Sequence, residues 1–372
     1  MERPPTQDGE PRPCDAAPGP ERVERLRVLA WELTRRCNLA CVHCRALAQD
    51  APSSRELSLS EIGKVLGQVA ALARPLLILS GGEPLLREDI LEIVALARGQ
   101  DLSVVLATNG TLLTADRARA LREAGVRRVS VSLDGAQAST HDAFRQAPGA
   151  FAGALAGARA AREAGLPFQI NMTLTAATTG ELPEMVALCR RLGAAALHLF
   201  ILVPTGRARL LPVPALSPTQ YEELLERVCD LAATTELDVR VTCGPQFARV
   251  ARQRAPDLLR PARGSGPGVT GCLAGVNFCF VGAEGTVQPC GYFQVDCGNV
   301  RLQDFGDIWR NSPALQLIRR RETFTGKCGR CEYLRVCGGC RARAYEATGD
   351  PLAADPLCTY LPRSLVERPQ LH

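Results

Sequence analysis

The sequence predicts an α/β protein: a partial (β/α)6 barrel of the TIM type followed by a C-terminal cysteine-rich domain. Short apolar strands alternate with amphipathic helices from about residue 26 to residue 243, the pattern of a parallel sheet covered by helices. Polar motifs follow directly after successive predicted strands. Beyond residue 271 cysteine and glycine become dense, which indicates a second unit.

Seven strands with helices between them are predicted along the barrel. The first strand, 28–33, is a buried apolar run that leads directly into a cysteine-rich loop. The next element, 57–73, has apolar residues at helical spacing, with Ser58 or Ser60 as its N-cap. The other strands are predicted at 75–80, 102–108, 127–133, 167–175, 195–203 and 237–243. The other helices are predicted at 87–99, 114–125, 151–165, 182–193 and 217–234. Six βα units are fewer than the eight of a closed barrel.

Composition divides the chain into four segments. Residues 1–24 are rich in proline, glycine and charge and predict a disordered tail, while residues 25–250 form the barrel core. The Pro- and Gly-rich segment 251–270 predicts a linker, with the boundary near residue 265. Residues 271–372 are the cysteine-rich domain, with one helix predicted at 305–321.

The charge and cysteine content narrow the functional classes. The chain has 44 lysine and arginine residues and 39 aspartate and glutamate residues. The resulting net charge of +5 is too small and too dispersed to indicate nucleic-acid binding. No apolar segment reaches transmembrane length and the N-terminus lacks a signal core, so we expect a cytoplasmic protein without a membrane span. In a reducing compartment, a chain with 16 cysteines is expected to use them for metal binding or catalysis rather than for disulfides. Cys14 is expected to be a stray thiol, and Cys189, Cys229 and Cys243 to be small buried hydrophobic residues.

The loop after the first strand carries Cys37, Cys41 and Cys44 in a Cys-x3-Cys-x2-Cys spacing. Three thiolates can hold three irons of a 4Fe–4S cube and leave the fourth iron open, whereas ferredoxin-type motifs supply four thiolates. An open iron indicates chemistry rather than electron carriage alone. Taken alone, the three cysteines also fit a zinc knuckle.

Three further motifs follow the second, third and fourth strands: SGGEP at 80–84, ATNG at 107–110 and SLDG at 132–135. Together with the cysteine loop and with His43 before its last cysteine, they resemble the radical S-adenosylmethionine (SAM) superfamily over roughly residues 26–245. The resemblance implies that Cys37, Cys41 and Cys44 bind a catalytic 4Fe–4S cluster. It also implies that SAM chelates the open iron and that one-electron reduction yields a 5′-deoxyadenosyl radical.

The same resemblance implies a SAM pocket. Gly81, Gly82 and Glu83 would meet the methionine ammonium, with glycine allowing close backbone approach. The ribose hydroxyls and the SAM carboxylate would be held by Thr108, Asn109, Ser132 and Asp134, with Arg145 as a further carboxylate partner. Asn171 would border the adenine.

The C-terminal cysteines resemble the SPASM extension, which binds auxiliary 4Fe–4S clusters. The resemblance implies one cluster on Cys328, Cys331, Cys337 and Cys358, and a further one on Cys272, Cys290 and Cys340 with Cys279 as fourth ligand. The last Cys-x2-Cys gap departs from the usual x3, and Cys297 has no assigned role. Structural zinc is the alternative, although zinc ribbons space their cysteine pairs by ~15–20 residues and five residues separate them here.

A closer resemblance, in AWELTRRCNLACVHCRA, LVPTGRAR and the C-terminal cysteine region, is to the haem-biosynthesis group of radical SAM proteins. This group includes the alternative haem synthases and the haem d1 biosynthesis proteins. The reaction it implies is oxidative decarboxylation of porphyrin propionates, from iron-coproporphyrin III to haem b. The resemblance also implies an iron-porphyrin substrate with propionate side chains, and a reduced ferredoxin or flavodoxin is the expected electron donor.

Arginine binds carboxylates such as propionates through two parallel hydrogen bonds, and nearly all basic residues of this chain are arginine. Arg207, Arg209, Arg341 and Arg343 are the candidates because they follow the sixth strand or the last cysteine pair. His198 is a candidate axial ligand, although its alternating strand position favours a core histidine. Three alternatives to the haem synthase remain: a haem d1 precursor as substrate, a SPASM peptide maturase, and a non-catalytic zinc module.

Overall fold

A computed structural model describes residues 25–210, 216–259 and 271–366. All seven predicted barrel strands form, within one or two residues of their predicted ends. They are β1 Val28–Glu32, β2 Leu76–Ser80, β3 Ser103–Thr108, β4 Val126–Ser132, β5 Phe168–Leu174, β6 Ala196–Ile201 and β7 Asp238–Thr242. Three more strands follow: β8 Phe278–Val281, β9 Thr286–Gln288 and β10 Gly298–Asn299. The tail 1–24 with Cys14, and residues 260–270 of the predicted linker, lie outside the described residues.

The strands form one sheet with the order β10-β9-β8-β1-β2-β3-β4-β5-β6-β7. Strands β1 to β7 are neighbours in chain order and all pair in parallel, which confirms the partial barrel. The sequence did not predict that β8 pairs in parallel with β1. The cysteine-rich segment therefore extends the sheet of the barrel instead of forming a sheet of its own.

Helices connect the strands and cover the sheet. The barrel helices are α1 Leu59–Leu72, α2 Ile90–Gly99, α3 Ala115–Ala124, α4 Ala138–Arg145, α5 Ala150–Glu163, α6 Leu182–Leu192, α7 Pro218–Thr234 and α8 Phe247–Arg254. The later helices are α9 Phe305–Asn311, α10 Pro313–Arg319, α11 Gly326–Gly329, α12 Arg341–Thr348 and α13 Arg363–Val366. Short 3-10 turns lie at Pro84–Leu86, Thr179–Glu181, Gly206–Leu210, Pro256–Leu259 and Arg321–Thr323. Ser58 caps α1 in a capping box with Glu61, which settles the choice between Ser58 and Ser60.

The helices of the structure differ from the predicted ones in three places. The single helix expected at 305–321 is two helices, because Pro313 lacks the N–H a continuous helix requires and restricts Ser312 before it. Helix α4 was not predicted, since its polar sequence has no extended apolar periodicity. Helix α8 runs into the predicted linker, so the described part of that segment begins as a helix.

Strand alternation decides which side chains face the helices and which face the inside of the barrel. On β2 and β3 the residues Leu77, Leu79, Val104 and Leu106 are fully buried and join the hydrophobic core. The alternate residues before the strand ends are partly buried, except Leu76, which is exposed. Because all seven barrel strands are parallel, the loops after them gather at one edge of the sheet, where the predicted motifs lie.

Candidate functional site

The loop between β1 and α1 carries the first three cysteines. Cys37 and Cys41 are each 7% exposed, and Cys44 is partly exposed. The Leu39 N–H donates to Cys37 Sγ at 3.4 Å, and the Ala48 N–H donates to Cys44 Sγ at 3.5 Å. Hydrogen bonds of this kind stabilise sulfur in the thiolate form that iron binds, so the donors present fit an iron–sulfur cluster.

Burial sets the protonation state of these thiols. It raises the pKa of Cys37 to about 11, and it also raises the pKa of Cys41, where the nearby Arg145 guanidinium opposes the shift. Without metal the Cys37 and Cys41 thiols are therefore protonated at neutral pH. Cluster binding must release these protons, as metal sites with cysteine ligands do.

The glycines of the SGGEP motif pack against the cysteine loop. A Cβ on Gly82 would lie 2.3 Å from the Arg36 carbonyl oxygen, and one on Gly81 would lie 2.7 Å from the Thr34 carbonyl oxygen. The Gly82 N–H donates to Thr34 O at 2.7 Å and the Glu83 N–H donates to Arg36 O at 2.8 Å. Close backbone approach is thus required, as the sequence indicated, but its partner in the structure is the loop that leads to Cys37.

Glu83 is fully buried and holds the next motif in place. Thr108 Oγ1 donates to Glu83 Oε1 and the Asn109 N–H donates to Glu83 Oε2, both at 2.8 Å. The Leu85 N–H also donates to Glu83 Oε1, at 3.1 Å. Burial raises the pKa of Glu83 above its ordinary value, and these donors oppose that shift. The carboxylate therefore links the loops after β2 and β3.

Asn109 extends this network to the cysteine loop. Its Nδ2 donates to Asn38 Oδ1 at 2.8 Å, while its Oδ1 accepts from the Thr111 N–H at 2.9 Å. Asn38, directly after Cys37, also donates to Thr111 Oγ1 at 2.9 Å. The TNG motif thus positions the loop, a role that sequence reasoning had not given it.

Asp134 and Arg145 form a buried ion pair beside the cluster cysteines. Arg145 Nη2 lies 2.5 Å from Asp134 Oδ2, and Arg145 Nη1 donates to Cys41 Sγ at 3.6 Å. Asp134 Oδ1 accepts from the Thr173 N–H at 2.7 Å. Burial raises the pKa of Asp134, but the charge of Arg145 and the other partners outweigh it and hold that pKa below its ordinary value. The positively charged guanidinium of Arg145 therefore lies beside the sulfur of Cys41.

The imidazole of His43 stacks on the ring of Phe144, with ring centroids 4.3 Å apart and planes inclined by 17°. The Val42 N–H donates to the Phe144 carbonyl oxygen at 3.1 Å. Helix α4, which ends at Arg145, thereby holds both the backbone and the aromatic side chain of the cysteine loop.

Ser132 and Asn171 lie in register across the inner face of the sheet, followed by His198 and Arg240. All four are partly exposed, and Asn171 Oδ1 accepts from Gln169 Nε2 at 3.0 Å. His198 is thus largely enclosed inside the barrel without being fully buried. Burial lowers the pKa of His198 to about 4, so its imidazole is neutral at pH 7.

Arg207 holds the cysteine loop instead of facing outward. Its Nε donates to the Cys41 carbonyl oxygen at 2.8 Å, and its Nη1 donates to the Ala48 carbonyl oxygen at 3.0 Å. The Arg207 N–H donates to the Cys44 carbonyl oxygen, also at 3.0 Å. These contacts replace the substrate role that we had considered for Arg207.

Arg341 and Arg343 are also buried and bonded within the protein. Arg341 is 2% exposed, donates to the carbonyl oxygens of Pro351 and Ala353, and stacks over Phe324. Arg343 is 3% exposed and forms a two-point ion pair with Asp355 at 2.9 and 3.0 Å. Of the four predicted arginines, Arg209 alone has an exposed side chain, and it pairs with Glu346.

Arg45 and Phe280, which the sequence analysis missed, connect the cysteine loop to the second domain. Arg45 Nη1 lies 3.1 Å from Glu32 Oε2, at the end of β1. The Arg45 guanidinium also lies over the Phe280 ring, 4.4 Å from its centroid. The available signal in the sequence was Glu32, an acidic residue within a predicted buried strand. Its role as the partner of Arg45 becomes clear only once β8 is paired with β1.

The predicted cluster set Cys328, Cys331, Cys337 and Cys358 is gathered in one region. The Gly339 N–H donates to Cys337 Sγ at 3.4 Å, and Arg341 Nη2 donates to Cys328 Sγ at 3.8 Å. Burial raises the pKa of Cys337, and the neighbouring Cys358 and Cys328 raise it further. Four thiols, two of them with N–H donors on their sulfurs, fit a 4Fe–4S cluster.

In the further predicted set, three thiols are grouped and the fourth, Cys279, is bonded to a carbonyl oxygen. Burial raises the pKa of Cys290, and the charges of Cys272 and Cys340 raise it further. Charges act at this strength only over short distances, so the three thiols are neighbours. Cys279, the predicted fourth ligand, instead donates its S–H to the Gln288 carbonyl oxygen at 3.5 Å. Cys189 and Cys229 are fully buried on helices, as expected.

Among the described residues, no three His, Cys, Asp or Glu side chains surround one point as the ligands of a single metal ion do. A 4Fe–4S cube takes each thiolate on a different iron atom and spaces its ligands more widely. In the described ranges, no helix has the length and apolarity needed to cross a membrane.

Comparison with known families agrees with this geometry. Residues 31–199 match the radical SAM superfamily, and residues 272–340 match SPASM, an iron–sulfur cluster-binding domain. In overall fold the chain is similar to Streptococcus suis SuiB bound to S-adenosylmethionine, with a TM-score of 0.72 and 18% identity over 91% of this chain and 78% of that one. The fold and the site define the class: this is a radical SAM enzyme with a SPASM domain, and SAM and 4Fe–4S clusters are its cofactors.

Sequence relatives narrow the class. The chain is 44% identical to the AdoMet-dependent heme synthase of Nitratidesulfovibrio vulgaris, over 94% of this chain and 97% of the relative. It is 46% identical to the AdoMet-dependent heme synthase of Methanosarcina barkeri, over 90% of this chain and 97% of the relative. Identity to the pre-heme d1 synthase of Dinoroseobacter shibae is 33%, over 92% and 89%. The chain belongs to the family of the AdoMet-dependent heme synthases, within the radical SAM proteins of haem biosynthesis.

Proposed function

We propose that this enzyme oxidatively decarboxylates two propionate side chains of iron-coproporphyrin III to give the vinyl groups of haem b. The observation that carries the proposal is the 44–46% identity, over at least 90% of the chain, to relatives that are named heme synthases. The three-cysteine loop, held by Arg145 and Arg207, supplies the radical site that such a reaction needs.

The reaction balances with one hydrogen atom and one electron leaving each propionate. SAM and a reduced 4Fe–4S cluster supply, when bound, the organic radical that abstracts the hydrogen atom. Loss of that hydrogen from the carbon β to the carboxylate, followed by loss of carbon dioxide and one electron, leaves a vinyl group. The protein must bind the porphyrin, aim one propionate at the radical and accept the electron.

The chain's residues divide these tasks. Cys37, Cys41 and Cys44 would hold the first cluster. Two groups beside them would contact SAM: the partly exposed Ser132 and Asn171 on the inner face, and the Gly81 and Gly82 backbone at the strand ends. The Glu83, Thr108, Asn109, Asp134 and Arg145 side chains already bond one another or the cysteine loop, so we propose that they position the pocket.

Arg209 is the proposed propionate contact. Its guanidinium is 54% exposed beyond the end of β6 and pairs with Glu346 through two hydrogen bonds. A propionate can replace the Glu346 carboxylate in that geometry, because both are bidentate acceptors. Electrons would enter from a reduced ferredoxin or flavodoxin in the cytoplasm, and an auxiliary cluster would accept the electron that leaves the substrate.

The test is anaerobic incubation of the reconstituted enzyme with SAM, a reductant and iron-coproporphyrin III. We expect haem b and two 5′-deoxyadenosines per haem. Cys41→Ala should abolish SAM cleavage, while Cys331→Ala should spare SAM cleavage and impair decarboxylation. Deoxyadenosine formed without any change in the porphyrin would contradict the proposed substrate but not the radical chemistry.

A haem d1 precursor is the second candidate, because the relative from Dinoroseobacter shibae is 33% identical over nearly the whole chain. The two candidates are separated by offering each tetrapyrrole alone and in competition. Vinyl formation on iron-coproporphyrin III, unaffected by an excess of the haem d1 precursor, would support the haem synthase. Loss of propionates from the precursor alone would support the second candidate.

A further inference from the structure

The end of β7 is bonded to the turn that carries Cys340. Asp355, which is fully buried, accepts from the Cys340 N–H and from Gln246 Nε2, both at 2.7 Å. Asp355 also pairs with Arg343, whose Nη2 donates to the Cys243 carbonyl oxygen at 3.1 Å. Cys243 directly follows β7, and Gln246 directly precedes α8. Two separate hydrogen-bond routes therefore hold the barrel segment with Cys243 against the segment with Cys340.

The backbone of Cys243 adopts a conformation that cysteine rarely takes. Its φ is 59°, in the left-handed region that favours glycine. Gly244 comes next, and a Cβ on it would lie 2.7 Å from a methyl carbon of Val241. Such a conformation in a non-glycine residue carries strain and is retained where the surrounding structure requires it. The strain is consistent with a thiol that is held in a particular direction.

Cys243 is close to three other thiols. Burial raises its pKa well above the ordinary value, and the charges of Cys340, Cys290 and Cys272 are among the contributions that raise it further. Those three thiols influence one another in the same way. Together with the hydrogen bonds through Arg343 and Asp355, these contributions put the Cys243 thiol, the single member from the barrel, near the other three.

Cys279 lies on the other face of its strand. It pairs in register with Leu29 of β1, which is fully buried in the hydrophobic core. Its neighbour Phe280 points the opposite way, to the face where Arg45 and Gly291 lie. Cys290 directly precedes Gly291. Among the thiols that act on Cys279, Cys297 acts more strongly than Cys290, and Cys297 itself donates to the Val295 carbonyl oxygen. Cys279 and Cys297 therefore belong to the packing of the core.

We propose that Cys243 is the fourth ligand of a second auxiliary 4Fe–4S cluster, with Cys272, Cys290 and Cys340. The cluster joins the last barrel strand to the cysteine-rich domain, so its binding also fixes the two segments against each other. Four thiolates occupy all four irons and leave none for a substrate. The cluster is then an electron carrier. The ligand assignment does not depend on the porphyrin substrate.

The experiment compares Cys243→Ala with Cys279→Ala in the full-length enzyme, reconstituted anaerobically without porphyrin. The measurements are iron and sulfide per chain and the electron paramagnetic resonance spectrum of the reduced protein, with SAM present to occupy the first cluster. Cyanide is added as a small iron ligand. In Cys243→Ala we expect either the loss of roughly four irons per chain or a spectrum that changes with cyanide, because one iron has lost its thiolate. Cys279→Ala should match the wild type.

Two results would overturn the assignment. One is a Cys243→Ala protein with wild-type iron content and a spectrum that cyanide does not alter. The other is the loss of iron in Cys279→Ala with Cys243→Ala unchanged. SAM cleavage, measured in the same samples, reports the first cluster and separates a ligand effect from general misfolding. Failure of porphyrin turnover would leave these readings intact, so the two proposals can be distinguished.

Discussion

Arg207 Nε donates to the carbonyl oxygen of Cys41 at 2.8 Å, so a residue beyond β6 determines the path of a loop that follows β1. Gly206, with φ 58°, makes this approach possible, since a Cβ there would lie 2.4 Å from the Cys44 carbonyl oxygen. The loops after β1 and β6 therefore meet at the first cluster site.

Arg207→Ala should weaken the first cluster. The substitution removes two charged hydrogen bonds to the loop, each worth about 1.5–3 kcal/mol. We expect at least a tenfold lower rate of SAM cleavage, on the order of 1.4 kcal/mol, together with lower iron retention. Arg119→Ala, in an exposed ion pair on α3, is the control and should match the wild type. Equal SAM cleavage in both variants would show that Arg207 does not support the loop.

Gly82→Ala should displace the cysteine loop. The new methyl group would meet the Arg36 carbonyl oxygen at 2.3 Å, and overpacking of this kind costs about 1–3 kcal/mol. Urea unfolding of the apoprotein measures the loss, and iron analysis measures cluster binding. Gly67→Ala in α1 meets nothing within 4 Å and should raise stability by about 0.5–1 kcal/mol. A Gly82→Ala protein as stable as Gly67→Ala would contradict this account.

Asp134→Asn should destabilise the protein by about 3–5 kcal/mol, because it leaves the buried charge of Arg145 without its partner. The same change at an exposed ion pair, Asp116→Asn, should cost at most about 0.5 kcal/mol. The free energy of unfolding in urea distinguishes the two. A loss below about 1 kcal/mol in Asp134→Asn would mean that water reaches Arg145.

Acid should destabilise the apoprotein between pH 6.5 and 4. Burial lowers the pKa of His141 and of His198 to about 4. The unfolded chain therefore binds more protons in this interval, and stability falls as the pH falls, by up to about 1.4 kcal/mol per pH unit and histidine. The charged groups that act on them are Asp134, Asp142 and Arg145 for His141, and Asp238, Arg240 and Arg128 for His198.

His198→Gln provides the check on that titration. Urea unfolding at pH 6.5, 5.5 and 4.5 should show a slope that is flatter than in the wild type by about 1 kcal/mol per pH unit. His141 should account for a further part, since its Nδ1 accepts from the Asp134 N–H at 3.0 Å and must be unprotonated to do so. Identical slopes in the variant and the wild type would exclude His198 as a contributor.

Several features of the site could be predicted from the sequence because they are local. The spacing of Cys37, Cys41 and Cys44, and the position of each motif after a strand, depend only on order along the chain. The roles of individual side chains were harder to predict. Arg207, Arg341 and Arg343 were interpreted as substrate contacts from their type and their proximity to strand ends or cysteines. The structure instead bonds them to carbonyl oxygens and to Asp355.

By itself, the sequence determined the alternation of strands and helices, the parallel sheet and the presence of two groups of iron-binding cysteines. Periodicity and spacing carry that information, because they report neighbours that are few residues apart. The tertiary structure alone decided that β8 pairs with β1 and that Arg145 reaches Cys41. It also decided that Arg343 and Asp355 hold the segment with Cys243 against the segment with Cys340. Each of these depends on residues that are far apart in the chain and meet only when the sheet assembles.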